Sequence, residues 1–562
     1  MTYLIAKLFA MTTVPPRGEG KFDLWLEQKD SLDFLARNER EEDCVIYASM
    51  SHVFLHSAIV PLSQLTPPDV DDLLKWSCRP SDTWSVWASD NKVGLDPPFE
   101  NPGSKSLQGA EALIFTRSFE GYVGKKGYVE LLQKFAHIFD LHYVSEQSAY
   151  CRLDRHGDVV PMVKIGSIDN AANPFDSGRY LTINRELLDD YMFLTGTALV
   201  RLFDFTRFHP ESFGGWGDLR ETTRIDNNML HARLTIQRGT GSYLRGFQVL
   251  RTNTTQQSVI DRIWGREEKR YATFIAQDWK NKRIAEISCD PKRLSNYFTQ
   301  SELPFEISPA FFKAEVLRKY KADSEKYTLE ERSISCRGAW YLQTYDINEV
   351  GQVHTYLIYL SRLPYEEQLY WKSFNEPPRG PISKRAYTTD FEGEFSQEAE
   401  ALSALKYRLR ELHRHNVPWW SLRSEALVDK VLAPFTTSAD EWADDILKLD
   451  QLLIEGFDAK WLRRKCIQLG RQPEPNFGSL KLIEECLLGL EFEGHDARAM
   501  VEPLRELHDM RTKLKGHASD DSGRALRKQA LADHGSYREQ FMDLCTRCDY
   551  SVERITAAFE KG

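Results

Sequence analysis

The stretch FNEPPRGPISKRA, residues 374–386, separates two kinds of sequence. Two adjacent prolines, then Gly380 and Pro381, interrupt any regular helix or strand, so a linker is expected over 376–395. Beyond it the apolar residues recur at the 3.6-residue period of helices. Before it, short apolar runs rich in β-branched and aromatic residues alternate with Gly, Pro, Asn and Asp, the pattern of strands and turns. The fold class that follows is α+β: a mixed α/β region and then an all-α helical bundle.

On the helical side, Ser396 is placed to cap a helix whose leucines at 402, 405, 409 and 412 form one stripe and which Asn416 and Pro418 terminate. The capping box SADE (438–441) opens a second helix with Trp442, Ile446, Leu449 and Leu453 on one face. The last helix shows Tyr537, Phe541, Leu544, Cys548, Val552, Ile555 and Phe559 at spacings of three and four. A bundle is expected over 396–562.

On the mixed side, strands are expected at YLIAKLFAM near the N-terminus, Cys44–Ala48, Val53–Val60, Ala112–Phe115, Thr197–Phe203, Thr273–Ala276 and Val353–Leu360. Helical patterns cover Tyr128–Phe139, Arg185–Phe193 and Phe311–Tyr320. Gly, Asn and Pro cluster near 165–185, giving regions 1–175 and 176–375 that could be continuous. The glycines of RGTGSYLRG (238–246) fit a hairpin turn better than a phosphate loop. Nine of the thirteen tryptophans lie before residue 375, and a mixed core accounts for them more simply than a ligand-binding surface. No phosphate loop, zinc-protease helix, nucleophile elbow or kinase signature occurs here.

The chain has 562 residues, is 41% hydrophobic and 28% charged, and carries a net charge of −10, which excludes disordered and collagenous classes. No apolar run approaches the roughly 18 residues of a membrane span. Nine scattered cysteines with a single CxxC, Cys545 and Cys548, support neither a disulfide framework nor a zinc site. The expectation is a cytoplasmic protein with no metal, no cofactor and no membrane partner.

The segment DARAMVEPLRELHDMRTKLKGHASDD (496–521) departs from that average. A helix from about 497 to 515 puts Met500, Leu504, Leu507 and Leu514 on one face, with Arg511 in the middle of the stripe. A bare buried guanidinium would cost several kcal/mol, so Arg511 needs a carboxylate such as Glu485 or Asp509, an opening to water, or an anionic ligand. Gly516 can stop the helix and free His517 to turn toward it. Arginine matches phosphate oxygens and imidazole moves protons near neutrality, a pairing suited to phosphodiester chemistry. From Arg505 to Lys528 seven basic residues face four acidic ones. Lys513, Lys515, Arg524, Arg527 and Lys528 are the candidate RNA-backbone contacts.

LRELHDMRTKLKGH (504–517), followed by a polar loop and a long final helix, resembles the HEPN superfamily, helical bundles marked by Arg, four to six residues, then His. The resemblance covers the last 170 residues or so. It implies Arg511 and His517 as catalytic pair, cleavage of RNA without metal, a composite cleft at a homodimer interface, and a setting in toxin or antiphage systems. Thr512 departs from the polar Asn, Asp or His that active members carry after the arginine. The same spacing recurs at Arg224/His231, Arg408/His413, Arg408 or Arg410/His415, and Arg527/His534. Of these, the first is expected in a loop and Arg408 and Arg410 on a solvated face. The functional expectation is RNA binding and endoribonuclease activity in the bundle, with a mixed region that senses a protein or small-molecule trigger. The alternative is a noncatalytic interaction protein that dimerises through a degenerate bundle.

Overall fold

The computed structural model describes residues 3–18, 20–38, 41–65, 85–96, 110–117, 128–168, 178–227, 229–264, 269–394, 401–515 and 521–561. The chain forms two compact units, residues 1–154 with 158–269, and residues 155–157 with 270–562, so the division falls at 269/270 and not near 175.

The first unit opens with three helices, α1 (Tyr3–Thr12), α2 (Lys21–Leu26) and α3 (Lys29–Asn38). The expected first strand is therefore a helix: Ile5, Leu8 and Met11 are buried three residues apart, a helical period, while Ala6 and Ala10 face outward. The main sheet contains β1 (Asp43–Met50), β2 (Val53–Pro61), β3 (His142–Val144), β4 (Ala149–Leu153), β5 (Val159–Ile168), β6 (Gly178–Asn184), β7 (Thr197–Phe208), β8 (Glu221–Asp226), β9 (Leu230–Gln237) and β10 (Gly241–Leu250). Their order is β8-β9-β10-β7-β2-β1-β6-β5-β4-β3. Strands β5 and β6 pair antiparallel from Val163/Ile183 to Ile168/Gly178, so the sheet is continuous across the Gly- and Asn-rich stretch, of which 169–177 lies outside the described residues. RGTGSYLRG turns the β9–β10 hairpin, with Gly239 at φ 71°.

Alternate side chains of β7, Arg201, Phe203, Phe205 and Arg207, are all buried. The two phenylalanines meet Leu8 of α1 and Phe34 and Leu35 of α3 in one core. Each arginine is bonded into the helical layer. Arg207 donates to both oxygens of Asp30 at 2.9 and 2.8 Å and to the Trp25 carbonyl at 2.6 Å. Arg201 donates to the side chains of Asn38 and Gln248 and to the Val45 carbonyl.

The second unit begins with a smaller antiparallel sheet: β11 (Thr273–Asp278), β12 (Arg283–Ser288), β13 (Pro309–Lys313), β14 (Asp346–Ile347), β15 (Gln352–Tyr356) and β16 (Asn375–Glu376), ordered β12-β11-β13-β15-β14 with β16 on β13. Three expectations mixed two periods. Tyr128–Leu131 is a strand followed by a helix over Gln133–Ile138. Phe311 and Phe312 belong to β13, followed by a 3-10 helix over Ala314–Leu317 and an α-helix over Arg318–Ala322. Leu357–Leu360 forms a helical turn after β15. Trp340, Trp371, Tyr320 and Tyr345 fill this core, as aromatic-rich segments of a mixed fold should.

The proline-rich stretch does not hang free. Asn375 bonds the backbone of Ile275 in both directions, and Nδ2 also donates to Phe311 O. Gln352 holds Pro377 and Arg379, and Arg385 binds Asp346 bidentately at 3.0 and 2.7 Å. Side-chain bonds replace the ladder that proline cannot join.

The bundle follows: α4 (Ala401–Arg414), α5 (Glu425–Lys430), α6 (Ala439–Leu453), α7 (Ala459–Gln468), α8 (Ser479–Gly489), α9 (Gly494–Lys515), α10 (Asp521–His534) and α11 (Tyr537–Lys561). The four leucines of α4 are buried, as are Trp442, Ile446, Leu449 and Leu453 of α6. Tyr537, Phe541, Leu544, Cys548, Val552 and Ile555 of α11 join them, with Phe559 half-buried. Asn416 ends α4 at φ 49°; Ser396 lies outside the described residues. Only half of the capping box forms. Ser438 accepts from the Glu441 amide at 3.3 Å, while Glu441 binds the Phe435 and Thr436 amides and Lys321. Among the described residues no helix is long and apolar enough to cross a membrane.

Candidate functional site

Helix α9 buries Met500, Val501, Leu504, Leu507, Met510 and Leu514. On the same helix His508 and Arg511, three residues apart, share one side. Both meet Asp450 of α6, a carboxylate only 1% exposed that follows the buried Leu449. His508 Nδ1 lies 3.0 Å from Asp450 Oδ1, and Arg511 Nε lies 3.8 Å from Oδ2. Arg511 thus finds neither Glu485, which binds Arg471, nor its neighbour Asp509, but a carboxylate on a facing helix.

The contact is loose. At 3.8 Å it is an electrostatic approach and not a hydrogen bond, and the Arg511 side chain is 39% exposed. Its position in the apolar stripe is tolerated because the long side chain carries the charge to solvent at the helix end. Burial raises the Asp450 carboxyl, while the hydrogen bond and charge of His508 and then the charge of Arg511 pull it back down. With the Asp450 carboxylate as acceptor, His508 is the donor through Nδ1. The arrangement holds an imidazole, 46% exposed, in one orientation beside a cation with unused donors.

The other expected residues are distributed around this pair. Lys513 is exposed two residues past Arg511, and Arg524 and Lys528 are exposed on α10. Arg527 is half-buried, 3.5 Å from Asp440 through Nη2, with Nε buried and lacking a hydrogen-bond partner. Lys515 closes α9; its side chain, together with Gly516 and His517, lies outside the described residues.

The competing Arg/His spacings fare differently. Arg224 sits in strand β8, not a loop, and it and His231 both engage the exposed Asp226 on the β8–β9 hairpin. Arg408 is not solvated: it is clamped by Asp549 at 2.6 and 3.1 Å. Arg410 pairs with Asp429 at 2.9 Å. Arg511, 3.8 Å from its carboxylate, makes a longer contact than these arginines do, although Arg224 and Arg410 are more exposed.

Asp450 and His508 were not anticipated from the sequence. His508 left a signal, since three residues before Arg511 on a helix is the same face. Asp450 left a weaker one, an acid inside the apolar stripe of α6, with nothing to name its partner. Two clefts in the bundle lie away from this cluster. One, of about 240 Å³, is lined by Met500, Pro503, Arg547, Tyr550 and Arg554. The other, of about 430 Å³, is lined by Ser403, Tyr407 and Arg408. Among the described residues no group of three or more His, Cys, Asp or Glu is arranged to hold a metal ion.

Comparison with protein-family models, with curated proteins and with solved structures finds no match for this chain.

Proposed function

We propose that the helical bundle is an RNA-binding, HEPN-like endoribonuclease in which Arg511 holds the scissile phosphate and imidazole moves the proton. The observation that carries this reading is the open cluster itself. A half-exposed arginine, held at 3.8 Å by a buried carboxylate, stands beside a histidine anchored at 3.0 Å by the same carboxylate. Its guanidinium donors match phosphate oxygens.

In this mechanism the ribose 2′-hydroxyl gives its proton to His508 Nε2 as its oxygen bonds to phosphorus. The bond to the 5′-oxygen breaks, leaving a 2′,3′-cyclic phosphate and a 5′-hydroxyl. Arg511 meets the negative charge that gathers on the phosphoryl oxygens. His517 supplies the proton to the leaving oxygen, the role left once His508 serves as base. Lys513, Lys515, Arg524, Arg527 and Lys528 hold the backbone of the strand. The mixed region senses the trigger, in a defence or toxin setting.

The test is cleavage of a labelled single-stranded RNA by the purified chain, with chelator present, against DNA of the same sequence. Cyclic-phosphate ends from RNA alone are expected, with Arg511→Ala slower by roughly 100-fold or more. His508→Ala and His517→Ala, made separately, assign the two imidazoles. An Arg511→Ala protein as fast as wild type overturns the reading.

A second reading, a homodimer through the bundle, draws on exposed tyrosines of two packed helices, Tyr407 of α4 (65% exposed) and Tyr550 of α11 (60%). Light scattering on Tyr407→Asp and Tyr550→Asp tests it: a dimer that survives both changes rules those tyrosines out of the interface.

A further inference from the structure

Helices α7 and α8 form a hairpin at the edge of the bundle, and α7 is anchored by few fully buried residues. Leu462 and Cys466 are buried, whereas Ile467 is 61% exposed. Cys466 faces Cys486 of α8, and both are fully buried. Their sulfurs lie 3.1 Å apart. The surroundings are reciprocal: Cys466 Sγ donates to Leu482 O at 3.2 Å, and Cys486 Sγ to Leu462 O at 3.4 Å. Each thiol therefore bonds to the carbonyl four residues before the other cysteine. A disulfide needs about 2.05 Å between sulfurs, so an approach of roughly 1 Å between two side chains would close it.

We propose that Cys466 and Cys486 are a redox pair that hydrogen peroxide converts to a disulfide, stapling the edge helix α7 to α8. The two thiols are not equivalent. When the Cys486 S–H turns from Leu462 O to the facing sulfur it favours the Cys466 thiolate; burial and then Glu485 oppose that charge, Arg463 and Arg471 favour it, and the net effect lowers Cys466. Cys486 is raised by the same hydrogen bond and by burial. With the Cys486 S–H turned toward it at 3.1 Å, Cys466 serves as the attacking sulfur. Its thiolate attacks a peroxide oxygen, the O–O bond breaks, and Cys466 becomes a sulfenic acid with release of hydroxide. Cys486 then attacks that sulfur, giving up its proton and displacing hydroxide, which leaves as water. Two thiols lose two electrons, one peroxide gains them, and two waters result. Opening of the lightly anchored α7 admits the oxidant. The staple closes the loop from 466 to 486, which restricts the unfolded chain and resists separation of the helices.

The experiment treats the full reduced chain with hydrogen peroxide, blocks remaining thiols with N-ethylmaleimide, and digests it without reductant for mass spectrometry. The expected product is one cross-linked peptide joining Cys466 and Cys486, two hydrogens lighter than its parts and lost on adding dithiothreitol. The oxidised protein should also melt several degrees higher than the reduced one. Cys466→Ser and, should it fold poorly, Cys466→Ala should lose both effects. Maleimide on both cysteines after peroxide, sulfinic acid at either one, or a disulfide joining other cysteines overturns the proposal; the mapping on the wild-type chain needs no variant to decide it.

Discussion

Replacing Asp445 by Asn should stabilise the protein at neutral pH, although the change removes one partner of a buried lysine. Asp445 lies on α6, fully buried, with Oδ2 2.6 Å from Lys321 and Oδ1 lacking a hydrogen-bond partner. Burial outweighs the charge and hydrogen bond of Lys321 and the charge of Lys448, 3.8 Å from Oδ1, raising the Asp445 carboxyl from 3.8 to about 6. A folded pKa above the unfolded one means that protonation favours the folded chain. This contribution is fully present below about 3.8 and is lost as pH rises through about 6. The interval, near two units at 1.36 kcal/mol each, amounts to about 3 kcal/mol. Asparagine has the shape of the protonated acid and never ionises. Lys321 retains Glu441 at 2.7 Å, so its charge is not stranded. Urea denaturation of wild type and Asp445→Asn, followed by tryptophan fluorescence at pH 7.5 and pH 4, reads the difference directly. The variant should be the more stable by about 3 kcal/mol at the higher pH, with the gap closing at the lower one. A variant less stable at pH 7.5, or a gap independent of pH, would refute the reasoning and show that Lys321 gains more from Asp445 than burial costs.

Other outcomes follow from burial and bonding elsewhere. Asp30→Ala removes the carboxylate from Arg207, whose side chain is fully buried, and should cost about 3–5 kcal/mol in the same assay; Asp30→Asn, which keeps an acceptor, should cost less. Tyr320→Phe leaves the Trp371 indole N–H, which donates to the tyrosine oxygen at 2.7 Å, without its partner in the core. A loss of about 1–3 kcal/mol is expected, and a neutral change would mean that the indole finds another acceptor.

The two halves of the chain were unequally legible. The helical stripes of α4, α6 and α11 were readable because each helix carries its burial pattern within its own residues. The segment Phe311–Tyr320 was not, because a strand buried on both faces, Phe311 and Phe312 together, looks as apolar as a helix. The prolines of 374–386 marked the change of architecture, but not that Asn375, Gln352 and Arg385 tie the stretch to the sheet; those partners come from distant positions.

The candidate site shows the same boundary. Local periodicity was enough to place Arg511 on the apolar side of α9 and to show that its charge needed company. The same spacing runs through His508, three residues earlier, which was nonetheless not anticipated. Which carboxylate answers the charge, Asp450 58 residues before His508, was decided by the packing of α6 against α9. The reason is physical: helix formation and capping depend on neighbours within a turn or two, whereas the environment of a buried charge is set by whatever residues the fold brings against it. The cysteines obey that rule as well. Their spacing in the chain offers no pairing, and only the packing of α7 on α8 sets two sulfurs 3.1 Å apart.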